Sequence, residues 1–479
     1  MKNPKIPFPD AGADKDQLLT YLKKYRQKDI EWRKGKSFCL VYYPGDERAK
    51  LIKSIFDEFY SENALNPSAT PSLTRMEGEI VSMCADLFNG DANTRGNITS
   101  GGTESIVLAV KTARDWAKTH KPEIKSPEII IPSSAHPAFI KASNYLGLNF
   151  VVVPVKNFRA NPEATAEAIT ENSILLVGSA PSYPHGLIDP ISEIAELAHR
   201  HNILCHVDSC IGGFMLPFVK QLGFPTIDFD FNVKGVTSIS ADMHKYGYAP
   251  KGASIVLYKN PELRKFQFSV YTNWSGGVYG SPTILGTRPG GSIAGAWAAI
   301  KGIGKEGYMQ MANETMLATK QLIDGINEID ELEIIGQPEM SIVSFQSSTI
   351  NVYQLADELN KRGWHFERQQ LPASLHFSVN YIHRNIMDTF VAELKEAVKE
   401  VKKFKLTKLS DKLQIGLVKT AKNILPEGSI SKFQQSKSAS SDIHKTKTAP
   451  MYGMMNVLAG SGELDDIVLD FLEKINTLE

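Results

Sequence analysis

Residues 236–257 read Val236-Thr237-Ser238-Ile239-Ser240-Ala241-Asp242-Met243-His244-Lys245-Tyr246-Gly247-Tyr248-Ala249-Pro250-Lys251-Gly252-Ala253-Ser254-Ile255-Val256-Leu257. Short runs at Val236 to Ile239 and Ser254 to Leu257 enclose a small polar, glycine-containing loop. A short apolar run bounded by turn formers is the pattern of a strand covered on both faces, because such a strand has no solvent side to display. The pattern repeats upstream at Ile129 to Ile131, Phe150 to Val153, Ile174 to Val177 and Ile203 to Val207. Helical stretches, among them Thr103 to Thr119 and Pro137 to Leu146, separate most of these runs. This alternation predicts a large α/β domain, with a mainly parallel sheet covered by helices, over 61–310.

Outward from this region the pattern changes. Beyond about residue 310, a long helical segment, strand candidates at Ser341 to Phe345 and Ser374 to Val379, and further helices predict a smaller α+β domain over 311–479. Residues 1–60 form an N-terminal segment with an amphipathic run, Gln17 to Arg33, and a turn at Tyr43-Pro44-Gly45-Asp46. The Ser- and Lys-rich stretch from Gly428 to Lys447 predicts a mobile loop. The 479 residues carry 53 basic and 53 acidic side chains, so the net charge is zero and no global excess favours nucleic acid or a membrane surface. The proline-broken, polar start matches neither a secretory signal nor a membrane span, and no long uninterrupted apolar window follows. Cys39, Cys84, Cys205 and Cys210 lack zinc-ligand spacing and are too few for a disulfide framework, so reduced cytosolic thiols are expected.

Several motifs carry chemistry. Ser100 to Glu104 precedes a helix, where glycines let backbone N–H groups approach an anion and the helix terminus favours negative charge; taken alone, a plain threonine N-cap is the better account. Lys245, in a small loop between strands, is suited to a cleft, and a lysine that forms a Schiff base must lose its proton. His244 beside it offers a polar contact to a phosphate. Asp208 ends the His206-Val207-Asp208 strand, where α/β sheets place ligands; it suits either a turn cap or a partner for a pyridinium nitrogen. His136 follows another strand and can stack on a planar ring or serve as an ordinary loop histidine. Gly302 to Gly307 spells GxGxxG, but a helix precedes it instead of a strand, so a helix break explains it better than a dinucleotide site.

Taken in order, GGTES (101–105), SSAHPAF (133–139), SAPSYPHGLIDPI (179–191), HVDSCIGGF (206–214), SADMHKYGYAPKG (240–252), YGSPTILGTRPGG (279–291) and APMYGM (449–454) resemble the sphingosine-1-phosphate lyase family. That family belongs to the fold-type I group of pyridoxal-phosphate enzymes, alongside the group II decarboxylases. The resemblance implies that Lys245 carries pyridoxal 5'-phosphate as a Schiff base, that Asp208 pairs with the pyridine nitrogen and that His136 stacks on the ring. It places Gly102, Thr103 and His244 at the cofactor phosphate, with Ser240 nearby and Thr287 reaching in from a partner subunit. Lys251, Tyr43 and Tyr183 then meet the phosphate and polar head of the substrate, and Tyr452 acts as an acid/base group. A homodimer with shared active sites follows, acting on a phosphorylated sphingoid base and on no nucleic acid. Without an N-terminal span the chain resembles the soluble bacterial form, cytoplasmic and open to export into a host cell. Asn66, in Leu65-Asn66-Pro67-Ser68-Ala69-Thr70-Pro71, stands where many relatives have histidine.

The implied chemistry is retro-aldol cleavage of a β-hydroxy amine, releasing a long-chain aldehyde and phosphoethanolamine. It requires an imine at the amine, a base for the hydroxyl proton and an electron sink. A substrate phosphate asks for cations and hydroxyl donors, which Lys251 and the tyrosines offer. The alternatives are an amino-acid decarboxylase of the same cofactor group and a non-catalytic cofactor-binding protein.

Overall fold

A computed structural model describes residues 6–405, Ala449, Tyr452 and 462–474. The Ser- and Lys-rich stretch at 428–447 lies outside the described residues. The central sheet contains β1 (Arg95–Thr99), β2 (Glu128–Pro132), β3 (Asn149–Val153), β4 (Ser173–Ser179), β5 (Leu204–Asp208), β6 (Ser238–Ala241) and β7 (Ser254–Tyr258), in the spatial order β1-β7-β6-β5-β4-β2-β3. Only β7 runs antiparallel to its neighbours, so β1 through β6 all point their C-terminal ends to one edge. Every residue of β4, β5, β6 and β7 is buried, which is why their sequences are dominated by apolar and small residues, without a regular polar alternation. Alternate side chains feed opposite cores: Cys205 and Val207 join one, Leu204 the other.

The sequence left β1 unread. Its Arg-Gly-Asn-Ile-Thr composition has one large apolar residue, and the buried Asn97 and Thr99 are satisfied by hydrogen bonds from Arg264 (2.9 Å) and with Ser105 (2.6 Å).

Helices α1 (Lys15–Tyr25), α2 (Asp46–Glu58), α3 (Pro71–Leu87), α4 (Gly102–His120), α5 (Ala138–Leu146) and α6 (Ile191–Arg200) precede one long helix, α7 (Gly290–Asn327). Gly304, at φ 63° and ψ 171°, breaks the path of α7, so the GxGxxG stretch is a kink within a helix. The first part of α7 packs Ile293, Ala299 and Met311 into the large-domain core, while Ala318, Leu322 and Ile326 belong to the core of the smaller domain.

The smaller domain has a four-stranded antiparallel sheet, β8 (Glu333–Ile334), β9 (Ile342–Gln346), β10 (Glu367–Gln370) and β11 (Ala373–Ser378), in the order β8-β9-β11-β10. Helices α8 (Val352–Lys361) and α9 (Met387–Lys405) contribute to its core, and a last helix spans Gly462–Lys474. The N-terminal segment is stitched to this sheet. Phe38 is buried in its core, its N–H donates to His365 O at 2.8 Å, and its carbonyl accepts from Ser378 N at 2.8 Å. No helix among the described residues is long and apolar enough to cross a membrane.

Candidate active site

The C-terminal edge of the parallel strands is where an α/β sheet leaves backbone groups and loops open for ligands. Asp208 is the last residue of β5, and Ser240 lies in β6. The loop after β6 carries Asp242, His244 and Lys245; the turn after β1 leads into Gly102; His136 follows β2 and Tyr183 follows β4. The fold therefore gathers segments scattered over about a third of the chain.

Lys245 Nζ lies 2.9 Å from Asp242 Oδ2, and His244 Nε2 lies 3.5 Å from the same oxygen. Burial is the largest single influence and disfavours the Lys245 ammonium, yet the Asp242 carboxylate, with Cys210 and Tyr42, outweighs it and raises the lysine above its ordinary range. Burial likewise works against the Asp242 carboxylate, and the charges of Lys245 and His244 hold it below its ordinary value. The loop itself is fixed from several sides. Tyr246 Oη donates to Val379 O (2.7 Å) and accepts from Ser341 Oγ (2.8 Å), and Tyr308 Oη of α7 donates to Gly247 O (2.8 Å). A Cβ at Gly247 would lie 2.5 Å from Met243 O, so only glycine permits this tight path.

Gly102 opens α4 directly against this cluster. A Cβ there would lie 2.9 Å from both Asp242 carboxylate oxygens and from Cys210 Sγ, and one on Gly101 would lie 3.7 Å from His244 Cε1. Thr103 is exposed in the same first turn. Asp242 Oδ1 and His244 Nδ1 are buried and find no hydrogen-bond partner among the described residues. Asp208 Oδ1 accepts from Cys210 N (3.0 Å) and Ser240 Oγ (3.4 Å), while His206 Nε2 meets Ser240 Oγ at 3.1 Å. Ser240 is thus engaged with Asp208 and His206. His136 is exposed, and its Nδ1 accepts from Ala138 N at 3.1 Å.

Lys251 Nζ donates to His244 O at 3.1 Å and stands 5.3 Å from the centroid of the Tyr42 ring. Desolvation of this ammonium, followed by repulsion from Lys245, lowers it to about 8. Tyr183 lies with its ring 4.4 Å from that of His376; burial and then Glu367 raise its hydroxyl above the ordinary range.

Tyr43, expected at the substrate phosphate, bonds through its hydroxyl to Asp46 and Arg33 and packs on Trp32 at 5.3 Å. Its neighbour Tyr42 feels Lys245 and Asp242 and packs on Tyr246 at 4.9 Å. Irregular backbone turns the chain here, with Leu40 at φ 65°, so no strand or helix period tells which tyrosine faces inward. Tyr452 lies against the smaller domain, 5.5 Å from Tyr353 and beneath Arg368 at 5.4 Å. Thr287 is exposed and meets Asn63 Nδ2 at 3.5 Å; its segment is held by Glu104, which accepts from Ile284 N (2.8 Å) and Leu285 N (3.3 Å). Asn66 is an exposed turn former whose Oδ1 accepts from Ser68 N at 2.9 Å. Asp242, Tyr42 and His376 were not picked out from the sequence. Asp242 alone carried a local signal, its position three residues before Lys245 in one loop.

These residues fit pyridoxal 5'-phosphate. The glycine-lined start of α4 and the unpartnered His244 Nδ1 suit a phosphate, Lys245 suits the aldehyde carbon, and the buried Asp208 carboxylate suits a protonated ring nitrogen. Comparison with known proteins agrees. Residues 17–348 match the model of the pyridoxal-dependent decarboxylase conserved domain. A sphingosine-1-phosphate lyase of Oryza sativa is 46% identical over 404 residues, covering 82% of this chain and 74% of the relative. The solved structure of a sphingosine-1-phosphate lyase from Burkholderia pseudomallei superposes with a TM-score of 0.80 at 34% identity, covering 88% of this chain and 97% of the other. Glutamate decarboxylase of Lactobacillus brevis, at 20% identity and a TM-score of 0.74 over 84% of this chain and 96% of the other, shares the fold. The chain is a pyridoxal-phosphate-dependent enzyme, and it belongs to the sphingosine-1-phosphate lyase family within the pyridoxal-dependent decarboxylases.

Proposed function

We propose that the enzyme cleaves phosphorylated sphingoid bases, sphingosine 1-phosphate among them, into a long-chain aldehyde and phosphoethanolamine. The observation that carries this reading is the grouping of Lys251, Tyr42 and Tyr183 around Lys245: a second cation and phenolic hydroxyls where a phosphorylated head group needs donors. Pyridoxal 5'-phosphate supplies the electron sink for the carbon–carbon cleavage. Lys245 would hold the cofactor, and Asp208, whose position is fixed by Ser240 and the Cys210 N–H, would favour a protonated ring nitrogen. Gly102, Thr103 and His244 would bind the cofactor phosphate, and His136 would lie against the ring. Lys251 Nζ binds the substrate phosphate, and a tyrosine Oη exchanges the proton of the substrate hydroxyl.

We further infer a homodimer in which each site is completed by the other subunit through Thr287. The segment around it exposes Val270, Tyr271, Trp274, Val278, Ile284 and Leu285, an apolar stretch that a second copy would cover. Tyr452 is assigned an acid/base role from the smaller-domain side. The four thiols are free and buried, which fits a cytoplasmic compartment.

The deciding experiment is incubation of the loaded enzyme with a phosphorylated sphingoid base and assay of aldehyde and phosphoethanolamine. Release of carbon dioxide from amino acids, with no aldehyde from the lipid, would replace this reading with the decarboxylase. Mixing Lys245→Ala with Thr287→Arg subunits should restore a minority of active sites, and a monomer of full activity in sedimentation would dismiss the shared site.

A further inference from the structure

The N-terminal segment meets the smaller domain just before β10, and the meeting gathers three side chains that the cleavage chemistry does not use. Ser37 and His365 pair as a parallel bridge: His365 N donates to Lys36 O at 2.8 Å, and Phe38 N donates to His365 O at 2.8 Å. Along extended backbone successive side chains point to opposite faces, and bridged residues share a face. Phe38, Trp364 and Phe366 accordingly turn together into the smaller-domain core, with the Phe38 and Trp364 rings stacked at 5.8 Å. Cys39, His365 and Glu367 turn the other way. The Cys39 sulfur, a ring nitrogen of His365 and a carboxylate oxygen of Glu367 all lie within 4.8 Å of one another.

The chemistry of this trio selects its ligand. A zinc-class cation binds sulfur at about 2.3 Å and nitrogen or oxygen at about 2.0–2.2 Å, which sets tetrahedral ligand atoms roughly 3.3–3.7 Å apart. The trio needs to close by little more than about 1 Å to reach that spacing, a movement within the reach of side-chain torsions. Ser37 Oγ donates to Cys39 O at 3.0 Å and pins the backbone that carries the sulfur. Cys39 is buried, while His365 and Glu367 are half-buried and leave a way in. Thiolate and carboxylate each bring one negative charge, so a divalent cation leaves the assembly neutral, the condition for holding charges away from water. Glu367 forms no ion pair among the described residues; its neighbour Arg368 turns to the other face and pairs with Asp357 at 3.2 Å. Magnesium and calcium ask for an all-oxygen shell, which a sulfur and an imidazole do not provide. No spacing in the sequence announces the site, because Cys39 meets the His-x-Glu pair only through the bridge at Ser37.

We propose that Cys39, His365 and Glu367 form a three-ligand site for a zinc-class divalent cation, which clamps the segment leading into Tyr42 onto the strand that carries Glu367 and leaves a fourth position to water. As the metal–sulfur bond forms, the Cys39 thiol proton passes to solvent and no electron is transferred. The site is independent of the lyase reading.

The test uses the full-length, cofactor-loaded, reduced enzyme with zinc and cobalt(II) as probes. Zinc, competed against a chromogenic chelator, should bind at a single equivalent per chain and raise Tm. Cobalt(II) should add, in the difference spectrum, a sulfur-to-metal charge-transfer absorption together with the visible bands of tetrahedral coordination. Cys39→Ser should abolish the charge-transfer absorption. Cys39→Ser, His365→Gln and Glu367→Gln should each weaken zinc by at least about tenfold, a loss that even a partner outside the coordination shell produces. Should Cys39→Ser fail to fold, as judged by loss of cofactor absorption, the two half-buried variants decide the matter. Zinc affinity that none of the three substitutions changes would overturn the site, as would cobalt bound without sulfur charge transfer or the absence of stoichiometric binding by wild type.

Discussion

Asp242→Asn changes one atom in a pair whose geometry sets the charge of Lys245. At 2.9 Å, unit charges attract by about 6 kcal/mol at an effective dielectric near 20. Since about 1.36 kcal/mol corresponds to one pH unit, that attraction spans about 4 units in the lysine's proton affinity, and burial subtracts from it. In the cofactor-free protein Asp242 therefore wins, and Lys245 stays an ammonium well into the alkaline range. Removing the carboxylate leaves burial, the largest single influence, and the nearby Lys251 charge to favour the free amine, against smaller opposing contributions from Cys210 and Tyr42. The midpoint for Lys245 deprotonation should fall by at least about 2 pH units in Asp242→Asn. The assay is the pH dependence of the rate at which an amine-directed reagent modifies Lys245 in cofactor-free protein, followed by mass spectrometry of its peptide. An asparagine keeps the shape of the loop, so the visible absorption of added cofactor provides a parallel check that the site still forms. A reactivity profile superimposable on wild type would refute the claim that Asp242 controls this lysine.

Further outcomes follow from the same geometry. Asp208→Asn should keep the fold, since its neighbours Ser240 and the Cys210 N–H can bond to an amide oxygen, but lower turnover at least about a hundredfold in steady-state assays because the ring nitrogen loses its anionic partner. Lys251 is charged below about 8 and neutral above it, so calorimetric affinity of the cofactor-free protein for phosphoethanolamine should decline as pH rises through that value, and Lys251→Ala should flatten the dependence. Glu104→Gln weakens charge-assisted bonds from Ser100, Ile284 and Leu285 N–H groups; a loss of about 2 kcal/mol in denaturant unfolding and faster proteolysis within 283–288 are expected.

The large domain is legible in the sequence because its central strands are buried on both faces, so β4 and β7 keep their polar residues to the ends of apolar runs. β1 and β10 escape for the opposite reason: Arg95–Thr99 and Glu367–Gln370 are mostly polar, and the fold satisfies their side chains through partners distant in sequence, such as Arg264 for Asn97. Lys245 and Asp208 stand out because each is a charged residue at the end of an apolar run. The choice between Tyr42 and Tyr43 has no such marker, since residues 39–45 follow no regular period. His376 is invisible for another reason again. It reads as one polar residue in a short strand, and its meaning arises only when the Pro184 turn and Phe38 are laid against that strand.

The long helix α7 has a thermodynamic consequence. Its residues from Ile293 to Met316 feed one core and those from Ala318 to Ile326 feed the other, while Tyr308, near its middle, donates to the carbonyl of Gly247. Melting either core strips support from part of a helix that the other core needs, so a single unfolding event is the expected outcome in calorimetry. Lys245 sits in the loop held at the middle of that beam. The loop of Lys245 should thus be among the last parts of the molecule to open to water, guarded by global stability instead of by its own local stability.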